Sequence, residues 1–266
     1  MNRIVGYNKS VNDVEFTIKK GETVGLVGES GSGKTTLGRC IVRLYDSTAG
    51  SIKFNVNGKM TELTNLSAKE MKNIRKNFQM LFQDVYSSLD TRMKISKIVT
   101  EPLDIHNVGT KKDRIERAKE LMIKVGLSEN DLEKYPHQFS GGQRQRIGIT
   151  RALSINPEFI ICDEPVSALD VSVQAQILNL LVDLKNEFNL SYLFIAHDLS
   201  VVKYISDRII VMYLGKILEI ASSSDIYESP KHPYTEALLA AISKNEAGSK
   251  RDILLKGNIP DPSDPP

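Results

Sequence analysis

Apolar residues recur along this chain at two spacings, and the alternation between them predicts a layered α/β molecule. Thr23 to Val27 is a short, largely apolar run, as are Phe159-Ile160-Ile161-Cys162, Tyr192-Leu193-Phe194-Ile195 and Arg208-Ile209-Ile210-Val211-Met212. Runs this short, without polar alternation, read as strands covered on both faces. Between the second and third lies a stretch with Val173, Ile177, Leu180, Leu181, Leu184 and Phe188 on one helical face, so strand follows helix follows strand and the sheet is expected to be mostly parallel. The front is strand-rich: Phe16-Thr17-Ile18 and Ser51 to Asn55 read as strands, the latter followed by the turn signal Asn57-Gly58. The middle is helical. Ser67 and Glu70 form a capping box, and Thr110 to Val125 sets Ile115, Ala118, Met122 and Val125 on one face, closed by Gly126. From Ser229 prolines punctuate the chain through Lys231-His232-Pro233-Tyr234, a short helix runs through Leu238, Leu239 and Ile242, and the residues from Ile259 are expected to be extended or disordered.

One loop carries most of the chemistry. Gly28-Glu29-Ser30-Gly31-Ser32-Gly33-Lys34-Thr35-Thr36 has the spacing of a phosphate-binding P-loop, with a strand ahead of it and the helical spacing Leu37, Cys40, Ile41, Leu44 behind it. Its glycines let backbone N–H groups curl around a phosphate, and the helix opening at Gly33 aims its positive end at the same anion. Lys34 is placed to reach the β and γ phosphates, and the Thr35 hydroxyl to bind Mg²⁺. The strand ending at Cys162 runs into Asp163-Glu164-Pro165, two carboxylates at the mouth where α/β sheets bind ligands. Asp163 suits a Mg²⁺ ion, and Glu164 suits the orientation and deprotonation of a water. Phe139-Ser140-Gly141-Gly142-Gln143 opens another helix; Ser140 either caps that helix or joins Gly141 and Gly142 in a second anion site. Gln79 reads as a solvated loop residue.

Composition narrows the class without naming a partner. A chain of 266 residues with 41% hydrophobic and 26% charged residues can bury an ordinary core, as one domain with an insertion or two at most. The net charge of +2, with acids and bases mixed, gives no concentrated basic face, so no nucleic-acid partner is expected. No apolar run approaches the length of a membrane span, and the N-terminus has no apolar signal core. Cys40 and Cys162 sit in apolar stretches and are expected to be buried, inert thiols suited to a reducing cytoplasm.

FSGGQ, standing between the P-loop and ICDEP, resembles the signature of the ATP-binding cassette (ABC) ATPases. Gln83 in Leu81-Phe82-Gln83-Asp84 is similar to that family's Q-loop, Ser167-Ala168-Leu169-Asp170 to its D-loop, and His197 in Ala196-His197-Asp198 to its switch histidine. The resemblance implies a P-loop NTPase of ABC type: an α/β fold with a mostly parallel sheet, an N-terminal antiparallel part and a helical insertion at about 86–150. The ATPase domain would span 1–228, with a C-terminal helix and proline-rich tail over 229–266. It implies ATP and Mg²⁺ as cofactors, catalytic roles for Glu164, His197 and Gln83, and metal ligation by Thr35, Gln83 and Asp163. It further implies that two such subunits face head to tail, so that Ser140 and Gly142 contact the γ phosphate of ATP held by the partner's P-loop, with Gly141 and Asp170 as further nucleotide-binding candidates. Tyr7 is a candidate to stack on adenine, against a plain strand tyrosine.

The run from Phe82 to Asp90, Glu101-Pro102-Leu103-Asp104-Ile105-His106, Cys162 to Gln176 and His232-Pro233-Tyr234-Thr235 resemble the ATPases of oligopeptide and dipeptide importers, in particular the second of their two ATPase subunits. This branch implies a sister ATPase, two transmembrane permease subunits, an extracytoplasmic peptide-binding protein, and a peripheral place on the cytoplasmic face of the membrane. Val85 stands where the branch usually has proline, and Asp90-Thr91 where it has asparagine and proline, in the segment expected to meet the permease. The family also has more chain ahead of a position like Val5 and often a cysteine-bearing segment at the back, so the sequence is expected to be shortened at both ends. Two other readings stand beside it: a non-transport cassette ATPase acting on DNA or ribosomes, and a non-hydrolysing regulatory subunit.

Overall fold

In the computed structural model, residues 9–243 are described. A six-stranded sheet of order β4-β5-β6-β1-β7-β8 forms the centre. Its strands are β1 (Thr23–Val27), β4 (Phe78–Leu81), β5 (Phe159–Asp163), β6 (Ser191–Ile195), β7 (Arg208–Tyr213) and β8 (Lys216–Ser222). Every pairing is parallel except the β7/β8 hairpin. A separate antiparallel hairpin joins β2 (Lys53–Val56) to β3 (Lys59–Glu62), and both turn residues, Asn57 and Gly58, have the positive φ that such tight turns require.

All five residues of β1, β5 and β6 are buried, as expected of parallel strands covered on both sides. Successive side chains divide between two cores. Ile160, Cys162, Tyr192, Phe194, Ile209 and Val211 face one, with α7 (Val171–Phe188) and α8 (Leu199–Ile205) packed over them. Ile161, Leu193, Ile195, Ile210 and Met212 face the other, beneath α1 (Lys34–Ile41) and α2 (Ala68–Ile74). Truncating fully buried Phe194 to alanine would cost about 3–5 kcal/mol, a large share of any domain's stability.

Between β4 and β5 the chain is helical, with α3 (Val85–Ser88), α4 (Ile95–Ile105), α5 (Lys111–Lys124) and α6 (Gly141–Leu153). These helices share a third core that includes Ile95, Val99, Ala118, Met122 and Ile147. α5, the Val125 that follows it and α6 also reach the main core, through Leu121, Val125, Ile149 and Leu153, which ties the helical segment to the sheet. Val85 is buried in the third core. After β8 come α9 (Ser223–Glu228) and α10 (Pro233–Ser243).

Several sequence expectations shift. Phe16-Thr17-Ile18 keeps the alternation of a strand, with Phe16 and Ile18 against the second core and Thr17 exposed, but it pairs with no strand among the described residues. Gln79, read as a loop residue, lies in β4 opposite Ile160. The strand expected at Ser51 to Asn55 runs from Lys53 to Val56. α1 ends at Ile41, leaving Leu44 half-exposed, and Cys40 is only partly buried whereas Cys162 is completely so. Both thiols are free, and burial raises the pKa of each, which keeps them protonated and inert. Tyr7 and the tail beyond 243 lie outside the described residues.

Candidate active site

The strand order explains how residues more than a hundred positions apart become neighbours. β4, β5, β6 and β1 are adjacent and parallel, so the loops leaving their C-terminal ends emerge side by side. Those loops carry Gln83, Asp163-Glu164, His197 and the P-loop, in that order across the sheet.

Two glycines fix the P-loop's path. Gly28 has φ 150° and a Cβ there would stand 2.0 Å from the Met212 carbonyl; Gly33 has φ 100° and its Cβ would meet the Ser10 carbonyl at 2.0 Å. Neither position admits a side chain. Gly33 caps α1 without any side-chain hydrogen bond, so the first-turn amides of that helix are left for an anion. Ser30 and Gly31 form the exposed tip, and Thr36 continues the first turn. Lys34 is buried and folds back onto its own loop, donating to the carbonyls of Gly28 (2.7 Å) and Glu29 (2.8 Å) and to the Ser32 hydroxyl (3.3 Å). Burial lowers its pKa, against the opposing pull of Glu164, Asp163 and Glu29.

Asp163 closes β5 and is 1% exposed. Its carboxylate accepts a hydrogen bond from the Thr35 hydroxyl at 2.8 Å, the link between the metal-type residues of the two motifs. Burial raises its pKa; the Thr35 bond and the charges of Arg39 and Lys34 work the other way. The next residue, Glu164, adopts φ 46°, an uncommon conformation for a non-glycine residue. Its N–H donates to the Ile195 carbonyl (2.9 Å), and its carbonyl accepts from the Ser167 hydroxyl (3.1 Å). The turn so held directs the side chain toward two neighbours: Gln83 Nε2 donates to Glu164 Oε2 at 2.7 Å, and His197 Nδ1 stands 3.4 Å from the same oxygen. Gln83 and His197 are exposed, Glu164 partly buried. A carboxylate in this setting is accessible to water and held between an amide and an imidazole, a geometry suited to orienting a nucleophilic water.

Ser140, Gly141, Gly142 and Asp170 form a second cluster. Ser140 caps α6 in a reciprocal capping box, its hydroxyl accepting from the Gln143 N–H (3.3 Å) and its N–H donating to Gln143 Oε1 (2.9 Å). A Cβ on Gly142 would come within 2.5 Å of Val173 Cγ1, so this loop packs against the start of α7. Asp170 caps α7, accepting from the Val173 N–H (3.0 Å) and the Ser172 hydroxyl (2.7 Å), bonds that lower its pKa. The cluster's hydrogen bonds therefore run to its own helices, away from the P-loop.

One contact at the site had no counterpart in the sequence reading. The Glu29 N–H of the P-loop donates to the Tyr234 hydroxyl, from the start of α10, at 3.2 Å. The motif His232-Pro233-Tyr234-Thr235 drew attention to the segment, but nothing in its spacing says which loop it touches.

Among known sequences, the ABC transporter family model matches residues 11–167, and the model named oligopeptide/dipeptide transporter, C-terminal region, matches 218–266. The chain is 53% identical to the oligopeptide transport ATP-binding protein AppF of Bacillus subtilis, over 99% of this chain and 80% of that protein. With the oligopeptide transport ATP-binding protein OppF of the same organism the identity is 56%, over 89% and 77%. Among solved structures it resembles the ATP-binding cassette MJ0796 in a dimeric post-hydrolysis state bound to ADP and Pi, with TM-score 0.70, 31% identity and coverage of 80% and 90%. It also shares the fold of cbiO1 from Clostridium perfringens, with TM-score 0.73 at 24% identity, over 89% and 92%. The chain is thus an ATP-hydrolysing member of the ABC transporter family.

Proposed function

We propose that the chain energises the import of oligopeptides or dipeptides by binding MgATP on residues 28–36 and hydrolysing it with Glu164 as the water-orienting base. The observation that carries this reading is the convergence of four parallel strand ends on one carboxylate, with Gln83 and His197 on Glu164 and the Thr35–Asp163 pair beside it. Thr35 and Asp163 fit a Mg²⁺ ion in kind: a hydroxyl and a carboxylate are hard oxygen donors, with Gln83 available from the exposed side. Held by Thr35 and Asp163, the ion would supply positive charge that offsets the charge of the phosphates. Lys34 then leaves the carbonyls of Gly28 and Glu29 for the phosphates, the first-turn amides of α1 orient them, and Glu164 takes the proton of the attacking water while His197 supports the γ phosphate.

The match at 218–266 and the transport names of AppF and OppF favour peptide import over work on DNA or ribosomes. The assembly we propose is a dimer with a sister ATPase, docked on two permease subunits at the cytoplasmic face and supplied by an extracytoplasmic binding protein. No helix among the described residues is long and apolar enough to cross a membrane. Glu164→Gln tests the mechanism: turnover should fall about 10²–10⁴-fold, with ATP affinity kept. Phosphate release at the wild-type rate would overturn it.

A further inference from the structure

We infer that Tyr234, from the C-terminal part of the chain, is a positioning residue for the nucleotide loop, holding the Gly28–Glu29 peptide from the side opposite Lys34. This rests on the proposed role of residues 28–36 in holding the phosphates. In a trans peptide the N–H and C=O point in opposite directions. The N–H of this unit donates to the Tyr234 hydroxyl at 3.2 Å, and its carbonyl accepts from Lys34 Nζ at 2.7 Å. One rigid plane is therefore pinned between a residue of α10 and the loop's own lysine. When Lys34 swings to the phosphates it releases that carbonyl, and the tyrosine is then the bond that keeps the plane in place. The loop's entrance stays set while its lysine moves.

The tyrosine is built to hold still. Its ring packs on Tyr213 of β7, with ring centroids 4.6 Å apart, and it is 6% exposed. Its own N–H donates to His232 Nδ1 at 3.1 Å, and Pro233 begins α10. The segment ahead is fastened to β8, where the Glu219 carboxylate accepts from the N–H groups of Lys231 (2.8 Å) and His232 (3.1 Å). Burial pushes the phenol up to about 12, so the group is a neutral hydroxyl throughout the working range. Glu219, Lys231, His232, Pro233 and Tyr234 fall inside the segment matched by the oligopeptide/dipeptide C-terminal model, which gives that segment a mechanical tie to the P-loop.

The test is Tyr234→Phe in the full chain, with Tyr213→Phe as the control that keeps the ring stack and touches no loop bond. MgATP affinity, KM, turnover at saturating ATP and melting temperature are measured for both. The loss of one positioning bond should weaken MgATP binding and raise KM about three- to tenfold, with saturated turnover within about twofold. Amide exchange at Glu29 should be faster in Tyr234→Phe than in wild type, whereas Tyr213→Phe should match wild type in affinity and KM. A lower melting temperature with unchanged affinity would mark a merely structural tyrosine and overturn the proposal. So would equal affinity in Tyr234→Phe and wild type while Lys34→Ala abolishes binding. Equal affinity in Lys34→Ala and wild type would instead remove the reading of the loop on which the proposal rests.

Discussion

Two helices in this chain open with glycine and a hydroxyl, and they treat their first-turn amides in opposite ways. α1 follows Gly33, whose left-handed φ of 100° carries no side chain and makes no side-chain capping bond, and its lysine is held on the carbonyls of its own loop. α6 follows Ser140, which closes a capping box with Gln143, so that one first-turn amide, the Gln143 N–H, is bonded without any ligand. The first is, in our proposal, the phosphate site. The second is complete as a cap, and its exposed serine and glycine face solvent beside the start of α7. A motif of similar composition thus leaves its first-turn amides without a side-chain cap in one place and caps its own helix in the other. On the head-to-tail pairing that the resemblance to cassette ATPases implies, the second would become a nucleotide contact only against another subunit.

Alanine at the two glycines separates these roles most sharply. Gly33→Ala forces a side chain into left-handed backbone and against the Ser10 carbonyl, which has no rotamer to escape into. Backbone strain of this kind should weaken MgATP binding by the isolated chain at least about tenfold, read by titration with a fluorescent ATP analogue. Gly142→Ala meets only a valine methyl, Val173 Cγ1, which can shift. Affinity in the isolated chain should then be unchanged while hydrolysis by the assembled dimer falls. Weaker ATP binding by isolated Gly142→Ala would erase the distinction.

Ser140→Ala probes the cap alone. The variant loses the bond to the Gln143 N–H, and removal of such a cap costs about 1 kcal/mol, or ~2–4 °C of melting temperature in a chain of this size. The isolated variant should still bind MgATP as the wild type does. Full thermal stability in Ser140→Ala would mean the box contributes nothing to α6, and the loop would be free for an anion in the monomer too.

What the sequence revealed divides along the same line of local against distant. The P-loop, Asp163-Glu164 and the Ser140 cap are each written in consecutive residues, and the buried runs of β5, β6 and β7 mark strands with no polar alternation. Phe16 to Ile18 shows why alternation is weaker evidence than burial on both faces: the pattern is present and packed on the core, yet it pairs with nothing among the described residues. β4 escaped notice because four residues after a short 3₁₀ turn carry almost no periodic signal, and Gln79 within it looked like loop. Glu164's positive φ is invisible to pattern, since nothing in its residue type requests it. The Tyr234 bond to Glu29 spans 205 residues, a pairing set by how the C-terminal segment crosses β7 and beyond the reach of any local rule.

The two helix starts also differ in how acid should affect them, which gives the smallest and most discriminating effect. The α6 cap is made of a hydroxyl and an amide and has no titrating group. The segment that carries Tyr234 to the P-loop is fastened through a carboxylate, Glu219. Burial works against that charge, but the hydrogen bonds it accepts outweigh the penalty and hold its pKa below the usual carboxylate value. A carboxyl with a depressed folded pKa contributes stability that is present above its unfolded value and lost as pH falls through the folded one. Glu219→Gln exchanges charge-assisted bonds for a neutral one, a loss of up to about 1 kcal/mol near neutral pH. The gap in melting temperature between wild type and Glu219→Gln should therefore be a few degrees at pH 7, about 2–4 °C at most. It should shrink as pH drops below the ordinary carboxylate range, because the wild type then loses the same charge. The deficit of Ser140→Ala should stay constant over that titration. A Glu219→Gln deficit that does not narrow with acid would mean the carboxylate's charge plays no part in fastening the tyrosine, leaving shape alone to hold the C-terminal segment at the P-loop.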